Sequence, residues 1–191
     1  MQKFLLNEQT KYEVLIKSLT RTLSKFNNKD YDATQSVIAL LKQVITGFEE
    51  LGNSIKQSEV QILLSEVTTA KAGINPINFQ KQTTGRLELL NTICLKVLQQ
   101  LQQILAHCYE LNNEKLNQAK ELVSQILTAG IQQGLITAVD IKKYKSPADA
   151  EKYCAKMTKN ENIALGEKRV LLIVSRYDCL LLFDEIITSL K

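Results

Sequence analysis

The chain has 191 residues, 45% of them hydrophobic, with only 2 prolines and 7 glycines. That length fits one domain whose core needs no staples, and the scarcity of turn residues excludes a strand-rich fold. A formal charge of +4, from 24 basic and 20 acidic side chains, is by itself too mild to imply nucleic acid.

The apolar spacing predicts an all-α fold: an antiparallel helical bundle of about five main helices plus two short ones, in a single domain over 1–191. Its natural groupings are 1–73, 84–134 and 135–191. A first helix over 2–26 carries Leu5, Tyr12, Leu15, Leu19 and Phe26 on one seam, and Asn27-Asn28-Lys29-Asp30 ends it. Asp32, three residues before Gln35, forms a loose capping box for a second helix with Val37, Leu41, Val44, Phe48 and Leu51. Gly52 is placed to terminate it, which makes the first two helices a hairpin. A third helix begins near Ser54, carries Val60, Leu63, Leu64, Val67 and Ala70, and closes at Gly73. The one substantial connection runs from Ile74 to Thr84, and Ile77 and Phe79 are expected to anchor it on the bundle.

The stretch from Arg86 to about Gln133 organises the chain. Leu87, Leu90, Cys94, Val97, Leu101, Ile104, Cys108 and Leu111 recur at alternating steps of three and four, which is a heptad seam. No Pro or Gly interrupts 86–129. After Leu111 the register slips: Leu116, Ala119, Val123 and Ile126 restart one residue late. Glu110-Leu111-Asn112-Asn113-Glu114-Lys115, at the slip, is rich in residues that compete with helical hydrogen bonding. The pattern therefore predicts either one bent helix or two joined by a short turn.

Beyond Gly134, Thr137 stands three residues ahead of Asp140, a capping box for a short helix to about Tyr144. Ser146-Pro147-Ala148-Asp149 predicts another helix to about Thr158. Asn160 or Asn162 caps a last helix expected to reach Ser189. Its apolar residues cover most of its circumference, so it should be enclosed.

Signatures of chemistry are weak. Leu180-Leu181-Leu182-Phe183 followed by Asp184-Glu185 has the outline of a Walker B strand, yet no GxxxxGK[ST] loop accompanies it. The neighbouring apolar residues continue a helical pattern. Glu49-Glu50 and Asp184-Glu185 are adjacent on helices, so their side chains diverge and make no local acid–base dyad. His107 is the single histidine, and beside Cys108 it points about 100° away. Ile104 stands three before His107, where a di-iron bundle would need Glu. Cys94 and Cys108 lie roughly 21 Å apart along one helix, too far for a disulfide, and no Cys–His spacing suits zinc. Reduced, buried cysteines are expected. No catalytic, cofactor-binding or metal site is predicted, and no cofactor. An enzyme assembled only in three dimensions, from Cys154, Cys179 and His107, is the alternative.

Phe4-Leu5-Leu6 is too short an apolar run for a secretory leader, and Val170–Leu190 is broken by Arg176, Asp178, Asp184 and Glu185. The expectation is a soluble cytoplasmic protein without a membrane span.

Two features point to partners. Between Glu88 and Glu110 the only charged residue is Lys96, and the outward positions hold Asn91, Gln99, Gln100, Gln102, Gln103 and His107. Interfaces are depleted in Lys, Glu and Asp, so this neutral face is expected to be covered, by another segment of the chain or by a partner subunit. The second feature is Lys142, Lys143, Lys145, Lys152, Lys156 and Lys159 against Asp149 and Glu151. This basic segment could serve nucleic acid or another acidic partner, with Tyr144 and Tyr153 as stacking rings, but it holds no arginine. The sequence therefore predicts a non-enzymatic helical-bundle protein acting through protein–protein contact as scaffold, adaptor or subunit, with a protein partner or as a homo-oligomer, and with nucleic-acid or acidic-partner binding the alternative.

Overall fold

A computed structural model describes residues 4–190. Among them eight helices occur and no named strand: α1 (Leu5–Asn27), α2 (Ala33–Glu50), α3 (Ser54–Lys71), α4 (Arg86–Gln132), α5 (Ala138–Lys143), α6 (Pro147–Met157), α7 (Glu161–Ile173) and α8 (Arg176–Ser189). The chain divides into two compact units. Unit I is Thr10–Glu110, and unit II is Met1–Gln9 with Leu111–Lys191. Helices α1 and α4 contribute residues to both.

Unit I is an up-down-up-down bundle, and its cross-helix pairs show why. Lys11 pairs with Glu50 at one end of α1 and Lys25 with Asp32 at the other, so α1 and α2 run antiparallel. Lys71 Nζ donates to Gln35 Oε1, joining the end of α3 to the start of α2. Lys96 pairs with Glu66 at 3.0 Å, while Lys56 lies close enough to act on the Cys108 thiol, so α3 and α4 are also antiparallel neighbours. Tyr12, Leu15 and Leu19, then Val37, Leu41, Val44 and Phe48, then Val60 and Val67, then Leu98, Leu101 and Leu105 fill the core. Burying each such side chain is worth about 1.5–3 kcal/mol.

Helix α4 is a single element of 47 residues. Its buried stripe is Cys94, Leu98, Leu101, Leu105, Cys108, Asn112, Leu116, Ala119, Val123 and Leu127, in unbroken steps of three and four. The predicted slip is not a break. Asn112 occupies the seam position that a polar residue disguised, and Leu111 is exposed. Leu87 is 70% exposed and likewise lies outside the core. Gly130 sits in the last turns of α4 because a Cβ there would stand 2.4 Å from Met157 Sδ; without that close approach an interior glycine would only cost stability.

In unit II the second half of α4 packs with α5–α8 and Leu5 around Leu127, Ile136, Tyr144, Met157, Phe183 and Ile187. The predicted capping box at Thr137 and Asp140 forms in full. The predicted last helix is instead two. Val174 and Ser175 are extended, and the Ser175 hydroxyl accepts from the Asp178 N–H to start α8. The Ser-x-x-Asp signature at 175–178 was hidden inside a run read as continuous for its apolar content. Two other caps also differ from expectation. Asp32 caps no backbone N–H and instead accepts from Lys25 and Ser36. Ser146 makes no side-chain cap, and the Lys145 N–H donates to Asp149 Oδ2.

The connection between α3 and α4 is built differently from expectation. Ile77 and Phe79 are 74% and 77% exposed, so they anchor nothing. The loop closes on itself through an Ile74–Lys81 bridge and two asparagine turns: Asn75 Oδ1 accepts from the Ile77 N–H, and Asn78 Oδ1 from the Gln80 N–H. Local hydrogen bonds satisfy this backbone, and its apolar side chains are left pointing out.

Candidate functional site

The neutral stretch on α4 is where the sequence directs attention. Asn91, Gln99, Gln102, Gln103 and His107 are exposed, so no segment among the described residues covers them, and the intramolecular form of that expectation is corrected to that extent. Gln100 alone is half-buried, and its Oε1 is shut from solvent with no hydrogen-bond partner among the described residues. Lys96 is neutralised by Glu66.

The neighbouring helix extends this chemistry. Before Lys71 at its last position, the exposed residues of α3 are uncharged, among them Ile55, Ser58, Gln61, Ile62, Ser65 and Thr68. Its interior charges are paired, Lys56 with Glu59 at 2.8 Å and Glu66 with Lys96. Ile55 and Ile62, seven residues apart, share one face of α3 and are both largely exposed. The outer flank formed by α3 and the first half of α4 therefore presents amides, hydroxyls and isolated apolar side chains, and its two internal ion pairs, Lys56–Glu59 and Glu66–Lys96, neutralise the charges within it. On the α1–α2 side Glu13, Lys17, Arg21, Lys42, Glu49 and Glu50 are exposed instead. One bundle thus has a charged flank and an uncharged one. Sequence reasoning found the α4 half from its missing charges and overlooked α3, where the same signal was diluted by four charged residues that turn out to be paired or terminal.

The basic segment is solvent-facing: Lys142, Lys143, Lys145, Lys152, Lys156 and Lys159 are all exposed. Lys152 pairs with Asp149 and Lys156 approaches Asp140 at 3.8 Å, which leaves less free charge than the sequence count suggests. Tyr144 is not available to stack a base, which corrects that half of the expectation, while Tyr153 is half-buried. Tyr144 is buried and donates to Asp184 Oδ1 at 2.6 Å, while the Tyr153 hydroxyl donates to the Asp140 carbonyl. The two rings stack on each other at 6.0 Å instead. Burial, with the adjacent Asp184 carboxylate, pushes the Tyr144 phenol well above its usual range.

All four cysteines are free and buried. Burial raises the thiols, to about 11 for Cys94 and Cys179 and about 12 for Cys154, with Cys108 also raised. A raised, enclosed thiol is the opposite of an activated nucleophile. His107 is exposed. Among the described residues no cluster of three His, Cys, Asp or Glu could hold a metal ion, and no helix is long and apolar enough to cross a membrane.

The most unusual buried polar group was not anticipated. Asp178 is fully buried, yet no cation pairs with it. Its Oδ2 accepts from the Leu5 N–H at 2.9 Å and from the Ser175 hydroxyl at 3.0 Å. It thus stands at the N-termini of α1 and α8 together, where two helix dipoles favour a carboxylate. Asn112 Nδ2 donates to the Leu5 carbonyl and to Gln9 Oε1. Both residues hold the start of α1 in unit II, and a structural role accounts for all of their bonds.

The chain matches no protein-family model, no curated protein and no solved structure.

Proposed function

We propose that this is a non-enzymatic interaction protein whose contact surface is the uncharged α3–α4 flank of unit I, and that a second copy of the chain occupies it. The observation that supports this most directly is the exposed stripe of Asn91, Gln99, Gln102, Gln103 and His107, whose one intervening charge, Lys96, is paired with Glu66, lying beside Ile55 and Ile62. A fully solvated helix face ordinarily carries mixed charges, as α1 does here.

Electrostatics favours a copy as occupant. A charged face meeting itself about a two-fold axis sets like charges opposite one another, whereas an uncharged face does not. Each glutamine amide is both donor and acceptor, so a glutamine stripe can bond to its own image. The flank is about 24 Å long and about 20 Å across two helices, roughly 500 Å² in plan. That is at or below the ~800 Å² per partner of a standard interface, so the dimer should be weak and concentration-dependent.

Sedimentation equilibrium across a concentration series tests the reading. The expected result is a rise toward twice the chain mass that Gln99→Glu with Gln103→Glu abolishes, while Lys17→Gln with Lys42→Gln on the charged flank leaves it unchanged. A single chain mass at every concentration, or a dimer indifferent to the Glu pair, overturns it.

A further inference from the structure

A different part of unit I carries an inference of its own. Because the bundle runs up-down-up-down, the α1–α2 turn and the α3–α4 loop emerge at the same end. The Lys71–Gln35 bond joins the two sides there, and a groove of about 540 Å³ is lined by Phe26, Lys29 and Tyr31 together with Leu87 and Leu95. Four large apolar side chains are thrust outward at this end from three segments. Tyr31 is fully exposed, Ile77 and Phe79 are about three-quarters exposed, and Leu87 is 70% exposed.

The loop that bears two of them is ordered rather than slack. The Phe79 N–H donates to the Asn75 carbonyl at 2.8 Å and the Gln82 N–H to the Gly73 carbonyl at 2.8 Å. Arg86 Nε donates to the Gln82 carbonyl, and its side chain lies against Gly73, which is held at a φ of +78°. Phe79 itself has a φ of +57°, a left-handed conformation that is strained for a bulky side chain. The chain thus holds a phenyl ring in solvent by a backbone arrangement that opposes its own preference, and such strain gathers where a segment has a task.

The surrounding charge is mainly basic. No acidic residue occurs between Glu66 and Glu88, whereas Lys71, Lys81 and Arg86 do, and all three are exposed. On the α1–α2 turn Lys29 and Asp30 are both exposed and Asp32 is engaged by Lys25, and Glu88 is exposed beside Leu87, so Lys29, Lys71, Lys81 and Arg86 outnumber the acidic groups Asp30 and Glu88 at this end. An ordered apolar tip with aromatic rings and a basic collar suits an anionic lipid surface: the rings and aliphatic groups enter the boundary between headgroups and acyl chains, and the cations meet lipid phosphates. A fluid bilayer also accommodates side chains that project separately, where a protein partner would need a matching set of pockets.

We propose that this end of unit I seats the protein peripherally on anionic membranes, with Ile77 and Phe79 as the inserting residues and Lys71, Lys81 and Arg86 as the headgroup contacts. The proposal is independent of the α3–α4 flank, so either can fail alone.

Co-sedimentation of the full chain with vesicles tests it, using phosphatidylcholine alone or with about 30% phosphatidylserine, at about 0.1 M salt. Binding to the anionic vesicles is expected to exceed binding to the neutral ones roughly tenfold. Ile77→Gln with Phe79→Gln, at exposed positions that leave the thermal melt unchanged, should reduce it roughly tenfold. Lys71→Gln with Lys81→Gln should erase most of the anionic preference. Lys142→Gln with Lys143→Gln should have no effect. Absence of vesicle binding, equal binding to neutral vesicles, or binding that survives the Ile77 and Phe79 changes overturns the proposal. So does loss of binding through Lys142 and Lys143 instead. A change in lipid-free sedimentation mass on altering Ile77 and Phe79 would identify the tip as a protein contact and overturn it too.

Discussion

The two units reach stability by different chemistry. Unit I is held by an aliphatic and aromatic interior running the length of four helices, with Val37, Leu41, Val44, Phe48, Leu98 and Leu101 all fully buried. Unit II also has an apolar core, but its elements are shorter, and polar knots hold them in place. Asp178 and Asn112 seize both backbone groups of Leu5, and Tyr144 is tied to Asp184. Long helices present enough continuous apolar surface to specify their own packing. Short ones leave more exposed termini per residue, and each terminus needs a partner.

The largest test of this contrast is a pair of truncations. Leu101→Ala removes a fully buried side chain from unit I and should cost about 3 kcal/mol by chemical denaturation, as a cavity opens in a core that cannot collapse around it. In unit II, Asp178→Ala should cost nearly as much, about 2–3 kcal/mol, because it strands the Leu5 N–H and the Ser175 hydroxyl in the interior. Asp178→Asn separates hydrogen bonding from charge. With its oxygen at the Oδ2 position it keeps both bonds but buries Nδ2 where Oδ1 has no hydrogen-bond partner among the described residues, so it should be milder than the alanine change without being neutral. An asparagine as damaging as alanine would show that the charge, and not the pair of accepted bonds, is what the two helix N-termini require.

Alkaline pH should weaken both units. A thiol whose pKa is raised on folding adds stability that is fully present below its unfolded value, near 9, and lost as pH climbs toward the folded value. Cys94 in unit I and Cys179 in unit II rise to about 11 and Cys154 in unit II to about 12, all chiefly by burial. Stability by chemical denaturation should therefore fall between pH 9 and pH 12, by at most about 3 kcal/mol for Cys94 or Cys179 and about 4 kcal/mol for Cys154. Cys94→Ala and Cys154→Ala should each flatten that slope, Cys154→Ala the more. Below pH 9 the same thiols should resist a disulfide reagent until denaturant is added.

How legible these features were follows the same division. The unit I seams on α1–α3 could be read because periodic apolar residues are a direct record of burial. On α4 the stripe was misplaced at Leu87 and Leu111, since a leucine at the right spacing was counted as buried whatever lay opposite. The Asn112 position was taken for a slip because its reason for being polar, the Leu5 backbone, is distant in sequence. In unit II, Thr137-x-x-Asp140 was legible as a cap because it stood between turn residues. Ser175-x-x-Asp178 was not, being embedded in apolar sequence. Ile77 and Phe79 were misjudged for a related reason: hydrophobicity states a preference for burial, while Asn75 and Asn78 decide where the loop points. Of the candidate surface, missing charge revealed the α4 stripe, but only pairing in three dimensions shows that α3 is equally neutral outward.

A smaller effect probes the seam within unit II. Gly130→Ala would bring a Cβ to 2.4 Å from Met157 Sδ, a separation that must relax. Met157 is unbranched and can swing, so the cost should be about 1 kcal/mol, partly offset by the better helix propensity of alanine. Gly130→Ala with Met157→Ala should cost less than the sum of the single changes, since the second substitution removes the atom that the first one strikes.

The smallest expected effect on stability is also the most informative about surfaces. Gln99→Glu with Gln103→Glu on the uncharged flank, and Lys17→Gln with Lys42→Gln on the charged one, alter exposed residues for which no cross-helix bond is seen, so each pair should shift the melt by within about 0.5 kcal/mol. If stability were the only reason for the residues on these faces, the two pairs would be equivalent in every assay. Their equivalence in folding and inequivalence in self-association would separate the two flanks by function, because a carboxylate on each α4 would then meet its own image across the two-fold axis.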